Sequence, residues 1–220
     1  MKKLLAIAAA LLLLGAQAGA QIIFNAGYLH ATEDATVTTG SNTTTGKGML
    51  DGFYAGAKYR IGLDGLTEGL SLAPGANFSF LFGRDAGLPD VLDNASNIEV
   101  AVNVPVHLQY LFEFTPDFKL EAWAGPTLQV GILNRAINGD NNPTLTFNQY
   151  KDIPASVMPP YAAVPARNRV NLYLGLGVGI EVAELVHVNV GYDFGLLNMS
   201  SGANYKITRG LLRVGVGYNF

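Results

Sequence analysis

The segment TRGLLRVGVGYNF, residues 208–220, decides how the rest of the chain is read. Leu212, Val214, Val216, Tyr218 and Phe220 fall on one phase of a period of two, and Arg209, Arg213, Gly215, Gly217 and Asn219 fall on the other. A pleated strand with one apolar face and one small or polar face has this pattern. Val, Tyr and Phe favour strands, whereas each glycine would cost a helix interior about 1 kcal/mol.

The same alternation recurs along the chain. In residues 98–112, Ile98, Val100, Val102, Val104, Val106, Leu108, Tyr110 and Phe112 take every even position, with Glu99, Asn103, His107 and Gln109 between them. Residues 51–61, 70–82, 118–132, 170–182 and 186–196 repeat the scheme, and 22–30 forms a shorter, less regular first strand. This predicts eight strands, each long enough to cross a bilayer at a tilt, which takes about 9–11 residues. The expected connections alternate in length. Long ones cover 31–50, 83–97, 133–169 and 197–204, and tight ones cover 62–69, 113–117 and 183–185. Long loops on one side and short turns on the other are the asymmetry of outer-membrane barrels.

Composition narrows the class further. Lys2 and Lys3, the apolar run 4–14 and the small residues Ala18, Gly19 and Ala20 predict a secretory signal peptide over 1–20, leaving a barrel domain over 21–220. Without Lys2 and Lys3 the mature chain carries 12 basic residues against 17 acidic ones, a net charge of −5, which argues against a nucleic-acid partner. Cysteine is absent, so there is no disulfide framework and no thiolate metal site. No mature stretch approaches the ~18 uninterrupted apolar residues of a spanning helix. Charged residues make up only 14% of the chain, against about 25% in soluble domains, as expected if the apolar phase faces lipid.

Aromatic placement gives an independent check. Outward-phase Tyr28, Phe53, Phe78, Phe80, Phe82, Tyr192 and Phe194 fall near the long-loop ends, and Tyr59, Tyr110, Phe112, Phe118, Tyr218 and Phe220 near the short-turn ends. Two girdles with aliphatic residues between them suit two membrane interfaces. The fold expected is therefore all-β, an eight-stranded antiparallel up-and-down transmembrane β-barrel with its polar phase inside. A closed sheet also satisfies every backbone group in lipid.

The interior should then hold a charge network of Lys58, Arg60, Glu99, His107, Lys119, Glu121, Arg169, Glu181, His187, Asp193, Arg209 and Arg213. Eight strands leave a lumen that side chains nearly fill, so a plugged interior is expected. His107 and His187 should pair with Glu or Asp in it. Inward glycines such as Gly175, Gly177, Gly191 and Gly215 make room for Trp123, Tyr54 and Tyr173. Gly175 to Gly179 lacks the spacing and following helix of a phosphate loop. No cofactor and no metal is expected.

Several pieces resemble the porin-family outer-membrane β-barrel domain, related in architecture to the small OmpA and OmpX barrels. They are Val104-Pro105-Val106-His107-Leu108-Gln109-Tyr110, similar to an I-P-x-x-x-K-Y strand with Gln109 in place of Lys, Ala124-Gly125-Pro126, Leu174 to Ile180, Gly191 to Leu196, and Gly217-Tyr218-Asn219-Phe220. The resemblance covers most of the mature chain and specifies fold and address better than activity. Pro105 and Pro126, inside strands with no free edge, should each mark a bulge or a missing ladder bond. Tyr218 and Phe220 resemble the terminal aromatic signal read by the outer-membrane insertion machinery.

The expected function is a non-enzymatic envelope-structural or surface-interaction role in the outer membrane of a Gram-negative cell. The alternative is a narrow porin-like channel, followed by a lipid-modifying enzyme built on His30 with Ser79 and Glu99. The loop 133–169 carries Arg135, Tyr150, Lys151, Tyr161 and Arg167 as a candidate ligand site. Expected partners are outer-membrane lipid and lipopolysaccharide, the insertion machinery and a surface ligand, with the barrel a monomer. Long loops should be extracellular and both termini periplasmic.

Overall fold

The computed structural model describes residues 21–84, 96–137, 146–157 and 163–220. The expected signal peptide and Tyr161 lie outside the described residues. Nine strands follow in chain order: β1 (Gln21–Thr39), β2 (Asn42–Gly62), β3 (Leu70–Arg84), β4 (Ser96–Thr115), β5 (Phe118–Ile137), β6 (Thr146–Asn148), β7 (Val170–Val182), β8 (Val186–Gly195) and β9 (Tyr205–Asn219). All pair antiparallel, in the order β4-β3-β2-β1-β9-β8-β7-β5, and β4 also pairs with β5. The sheet thus closes on itself through eight strands. The short β6 adds to the outer end of β5.

Closure runs through the first and last strands, where Ile23 pairs with Asn219 and the Phe220 amide donates to the Ile22 carbonyl at 2.9 Å. The alternation sorts the two faces of the wall. Along β9 buried Ile207, Arg209, Leu211, Arg213, Gly215 and Gly217 alternate with exposed Leu212, Val214, Val216 and Tyr218. Along β4 Asn97, Glu99, Asn103, His107 and Gln109 are buried, and the intervening branched residues face out.

Two expectations need correction. The connection expected over 31–50 is not a loop: β1 and β2 continue as one hairpin to a tight turn at Gly40 and Ser41, with Gly40 at φ 62°. Threonines at 32, 36, 38, 39 and 43–45 read as a solvated tip, but β-branched Thr also suits a strand. The connection expected over 133–169 is also partly strand: β5 runs on to Ile137, and its alternation breaks where the register shifts between Val100 and Ala101 and leaves Ile132 unpaired with β4. This bulge reverses the phase, so Asn134 points in and Arg135 points out. The prolines mark missing ladder pairs, one of the two outcomes expected of them: Pro105 has a partner on β5 but none on β3, and Pro126 has one on β7 but none on β4.

Candidate functional site: the layered lumen

Inward side chains divide the lumen into layers. At the long-connection end, Ala35, Met199 and Ile207 form a small apolar cap. Beneath it sits an ion cluster built on Arg209, which is fully buried. Its guanidinium holds Glu33 through Nε at 2.8 Å and Nη2 at 2.6 Å, and Glu99 through Nη1 and Nη2 at 2.7 Å each. Glu33 and Arg209 are cross-strand neighbours on β1 and β9, while Glu99 reaches across from β4. Glu33 also takes a fork of two 2.9 Å bonds from Arg167, which descends from the connection between β6 and β7. The planar fork of arginine matches a carboxylate in this way, where lysine would offer a point charge. Asn134, turned inward by the bulge, donates to Glu99 at 3.1 Å.

The next layer is apolar. Leu29, Ala31, Leu50, Leu81 and Leu211 pack with Tyr54 and Tyr173, all at most 3% exposed. This septum crosses the lumen. Tyr173 donates to Gln129 at 3.1 Å, and Gln129 and Asn103 continue the chain to Ser79. Toward the short-turn end, Trp123 lies against Gly175, Gly177 and Gly191, where added Cβ atoms would meet its ring, and it stacks on His107 at 4.4 Å. Arg213 pairs with Asp193 in the same layer.

The innermost cluster joins β2 to the opposite wall. Lys58 meets Glu121 at 3.2 Å, Arg60 meets Glu181 at 2.7 Å and Glu121 at 3.7 Å, and His187 lies 3.2 Å from both carboxylates. Through the whole stack five cations, Lys58, Arg60, Arg167, Arg209 and Arg213, face five carboxylates, Glu33, Glu99, Glu121, Glu181 and Asp193. Buried charges are tolerated when paired and hydrogen-bonded.

The structure departs from the expected network at three members. Arg169 lies outside the lumen: it is exposed, its Cζ stands 4.2 Å over the Tyr150 ring, and it donates to the Gly131 and Ile132 carbonyls. The bulge that frees those carbonyls captures it. Lys119 belongs to the short-turn rim, 2.6 Å from Glu184. That bond holds the Glu184 carboxyl below its ordinary range. His107 pairs with no carboxylate, donating to or accepting from Thr127 at 3.2 Å instead. Glu33 was missed because its strand was read as loop.

Of the candidate ligand residues, Lys151 and Arg167 line one small cavity with Gln149, Pro165, Ser200 and Tyr205, and the other described ones lie outside it. Arg135 projects from the outer wall, Lys151 is exposed, Arg167 is buried in the mouth, and Tyr150 covers Gly131. Burial, followed by the Glu99 charge, raises the Tyr150 phenol above its ordinary value. His30 is likewise not beside Ser79 or Glu99, which point into the lumen. It faces outward and bonds Asp51 through Nδ1 at 2.8 Å. Among the described residues, no group of three or more His, Cys, Asp or Glu is arranged to hold a metal ion.

A closed eight-stranded ring with a filled polar interior and an exterior of Val, Leu, Phe and Tyr defines a transmembrane β-barrel of the outer-membrane class. Residues 6–220 match the family described as outer membrane protein beta-barrel domain, and the chain belongs to it. Its location is the outer membrane. Similar solved structures include Neisserial surface protein A, at 17% identity and TM-score 0.44, covering 90% of this chain and 97% of that one. The attachment invasion locus protein Ail of Yersinia pestis aligns at 14% identity and TM-score 0.37, covering 89% and 98%. The outer membrane enzyme PagL aligns at 14% and 0.42, covering 86% and 98%. No curated protein sequence matches the chain.

Proposed function

We propose that this protein is a non-enzymatic, non-conducting barrel that serves envelope structure or surface interaction, with its long connections extracellular and both termini periplasmic. The observation that carries the reading is the apolar septum of Leu29, Leu50, Leu81, Leu211 and Tyr173, flanked on both sides by charge-balanced clusters. An ion entering from either end meets side chains already paired and then a layer with nothing to replace its hydration. Planar-bilayer recording of the purified chain should show no steps above the lipid background. Large, stable openings would overturn the plugged reading in favour of a narrow channel.

The partners follow from the same placement. Tyr218 and Phe220 project outward at the closing seam, with Phe220 packed edge-on against Phe24 at 5.3 Å and Tyr218 at 4.9 Å. This exposed aromatic end suits recognition by the insertion machinery. Residues appended after Phe220 should reduce the fraction of chain recovered in the outer membrane, and unchanged recovery would count against that role. Outer-leaflet lipid, including lipopolysaccharide, is the proposed partner of the outer wall. A surface ligand would meet the β1–β2 hairpin tip and the connection between β5 and β7.

A further inference from the structure

Among the described residues, the outward face of the wall carries a hydrogen-bonded polar group at the level of the outer aromatic girdle, in the row that holds Phe82. Tyr28 and His30 on β1 and Asp51 on β2 all point outward in one hydrogen-bonded group. The Tyr28 hydroxyl and His30 Nδ1 both engage Oδ1 of Asp51. His30 and Asp51 are directly opposed in the ladder, and their row continues to Phe82 on one side and Leu212 on the other. The histidine and aspartate side chains are 30% and 45% exposed, so the group opens toward the surrounding lipid. At this interfacial level a charge costs little; what marks the group is that two side chains from β1 converge on one carboxylate oxygen of β2.

We infer that this group is a binding site for a phosphorylated, N-hydroxyacylated glycolipid of the outer leaflet. The inference rests on the outer-membrane placement proposed above and deepens its lipopolysaccharide partner. With Nδ1 committed to Asp51, His30 turns Nε2 outward, and Asp51 keeps Oδ2 as an acceptor. Neither atom has a partner among the described residues. The site therefore selects a hydrogen-bond donor, such as a hydroxyl or amide N–H. Cations stand farther out on the same face, one on β3 and one on β2, the latter opposite Asp34 of β1. Arg84 is opposite Met49, one side-chain step beyond Asp51, and Lys47 is a further step out. Each step is about 7 Å along the strand. The required ligand thus carries phosphate on the outside and hydroxyl or amide donors beneath it. A hydroxyacylated amino sugar has that order, whereas an ethanolamine phospholipid places its only strong donor outside the phosphate. Below the group, Ala26, Ala55, Ala57 and Ala76 make a low patch on β1, β2 and β3, room for an acyl chain under the projecting Tyr28 and Phe53 rings.

The test uses the full mature chain, folded in neutral detergent and checked for heat-modifiable gel mobility, with bound lipid counted by native mass spectrometry. Lipid A should bind in preference to phosphatidylglycerol and phosphatidylethanolamine, and Asp51→Asn and His30→Gln should each weaken it about tenfold. Tyr28→Phe, which keeps the ring, should weaken it less, and Asp64→Asn on the opposite rim should leave it unchanged. Arg84→Gln should weaken intact lipid A but not its dephosphorylated form. Equal binding of phosphatidylglycerol, or lipid A affinity unchanged in both Asp51→Asn and His30→Gln, overturns the site. Conductance of the same preparations reports separately on the plugged lumen.

Discussion

The two ion clusters of the lumen are built from similar groups and differ in what they hold together. Each contains one cross-strand pair, Glu33 with Arg209 on β1 and β9 and Glu181 with His187 on β7 and β8, and each reaches across to the far wall. The inner cluster closes strand to strand and opens toward solvent at Lys58, which is 17% exposed. The outer cluster is sealed, and its second arginine comes from a connection. Arg167 also donates its amide to the Gln149 carbonyl, and Gln149 bonds Asn97 on β4. The comparison teaches that the inner charges fill a wall, whereas the outer charges fasten a loop to it.

Glu33 should separate the two most sharply. Glu33→Gln removes the carboxylate that Arg167 and Arg209 share, and breaking a buried ion cluster this way costs about 3–5 kcal/mol. Urea unfolding in micelles measures it. If Glu181→Gln costs as much, the outer cluster has no special standing. Arg167→Met comes next, since it removes the fastening while leaving Arg209 with both carboxylates. Limited proteolysis should cut the connection between β6 and β7 faster, yet conductance should stay at background because the septum lies beneath. Channel openings in Arg167→Met alone would mean that the ion cluster, not the leucines, is the seal.

How far the sequence discloses these regions follows from the same residues. The inner cluster was legible because Lys58, Arg60, Glu121, Glu181 and His187 all sit on the polar phase of strands with strict alternation. The outer one was not. Glu33 lies in the Thr-rich extension of β1, where polar residues fill both phases and the period carries no contrast. Asn134 lies beyond the Ile132 bulge, which reverses the phase; Gly131 beside it reads in sequence as one more small inward residue. Arg167 comes from an irregular connection whose position no periodicity encodes. The septum was hidden differently: Leu29, Leu50, Leu81 and Leu211 stand on the inward phase, and the rule that polar faces in and apolar faces out hides apolar residues that line a lumen.

In the inner cluster, Lys58→Met should cost about 1 kcal/mol or less, because Arg60 and His187 remain beside Glu121 and the lysine is partly solvated. A loss as large as that of Glu33→Gln would show the inner cluster to be as sealed as the outer one.

The smallest effect belongs to the rim just beyond it, where β7 turns into β8. Ala183 and Glu184 both take positive φ, 51° and 57°, in a two-residue turn that suits the twist of the flanking strands but not side chains with a Cβ. The Ala183 amide donates to the Asp117 carbonyl at 2.8 Å, so the turn also braces the neighbouring hairpin and is not free to relax. Asn tolerates the left-handed region, so Ala183→Asn should stabilise the barrel by about 1 kcal/mol. Glu184 carries a second, pH-dependent term. Its carboxyl is held below its ordinary range by the Lys119 bond, so its contribution is present above the unfolded-state value and lost as pH falls through the folded one. Glu184→Gln should therefore lower the unfolding midpoint slightly on the neutral side, leave the acid end nearly unchanged, and so flatten the limb between them. An acid limb that superimposes on that of the unaltered protein would mean that the Lys119 pair does not form in the membrane, and the short-turn rim would contribute nothing that the inner cluster does not already supply.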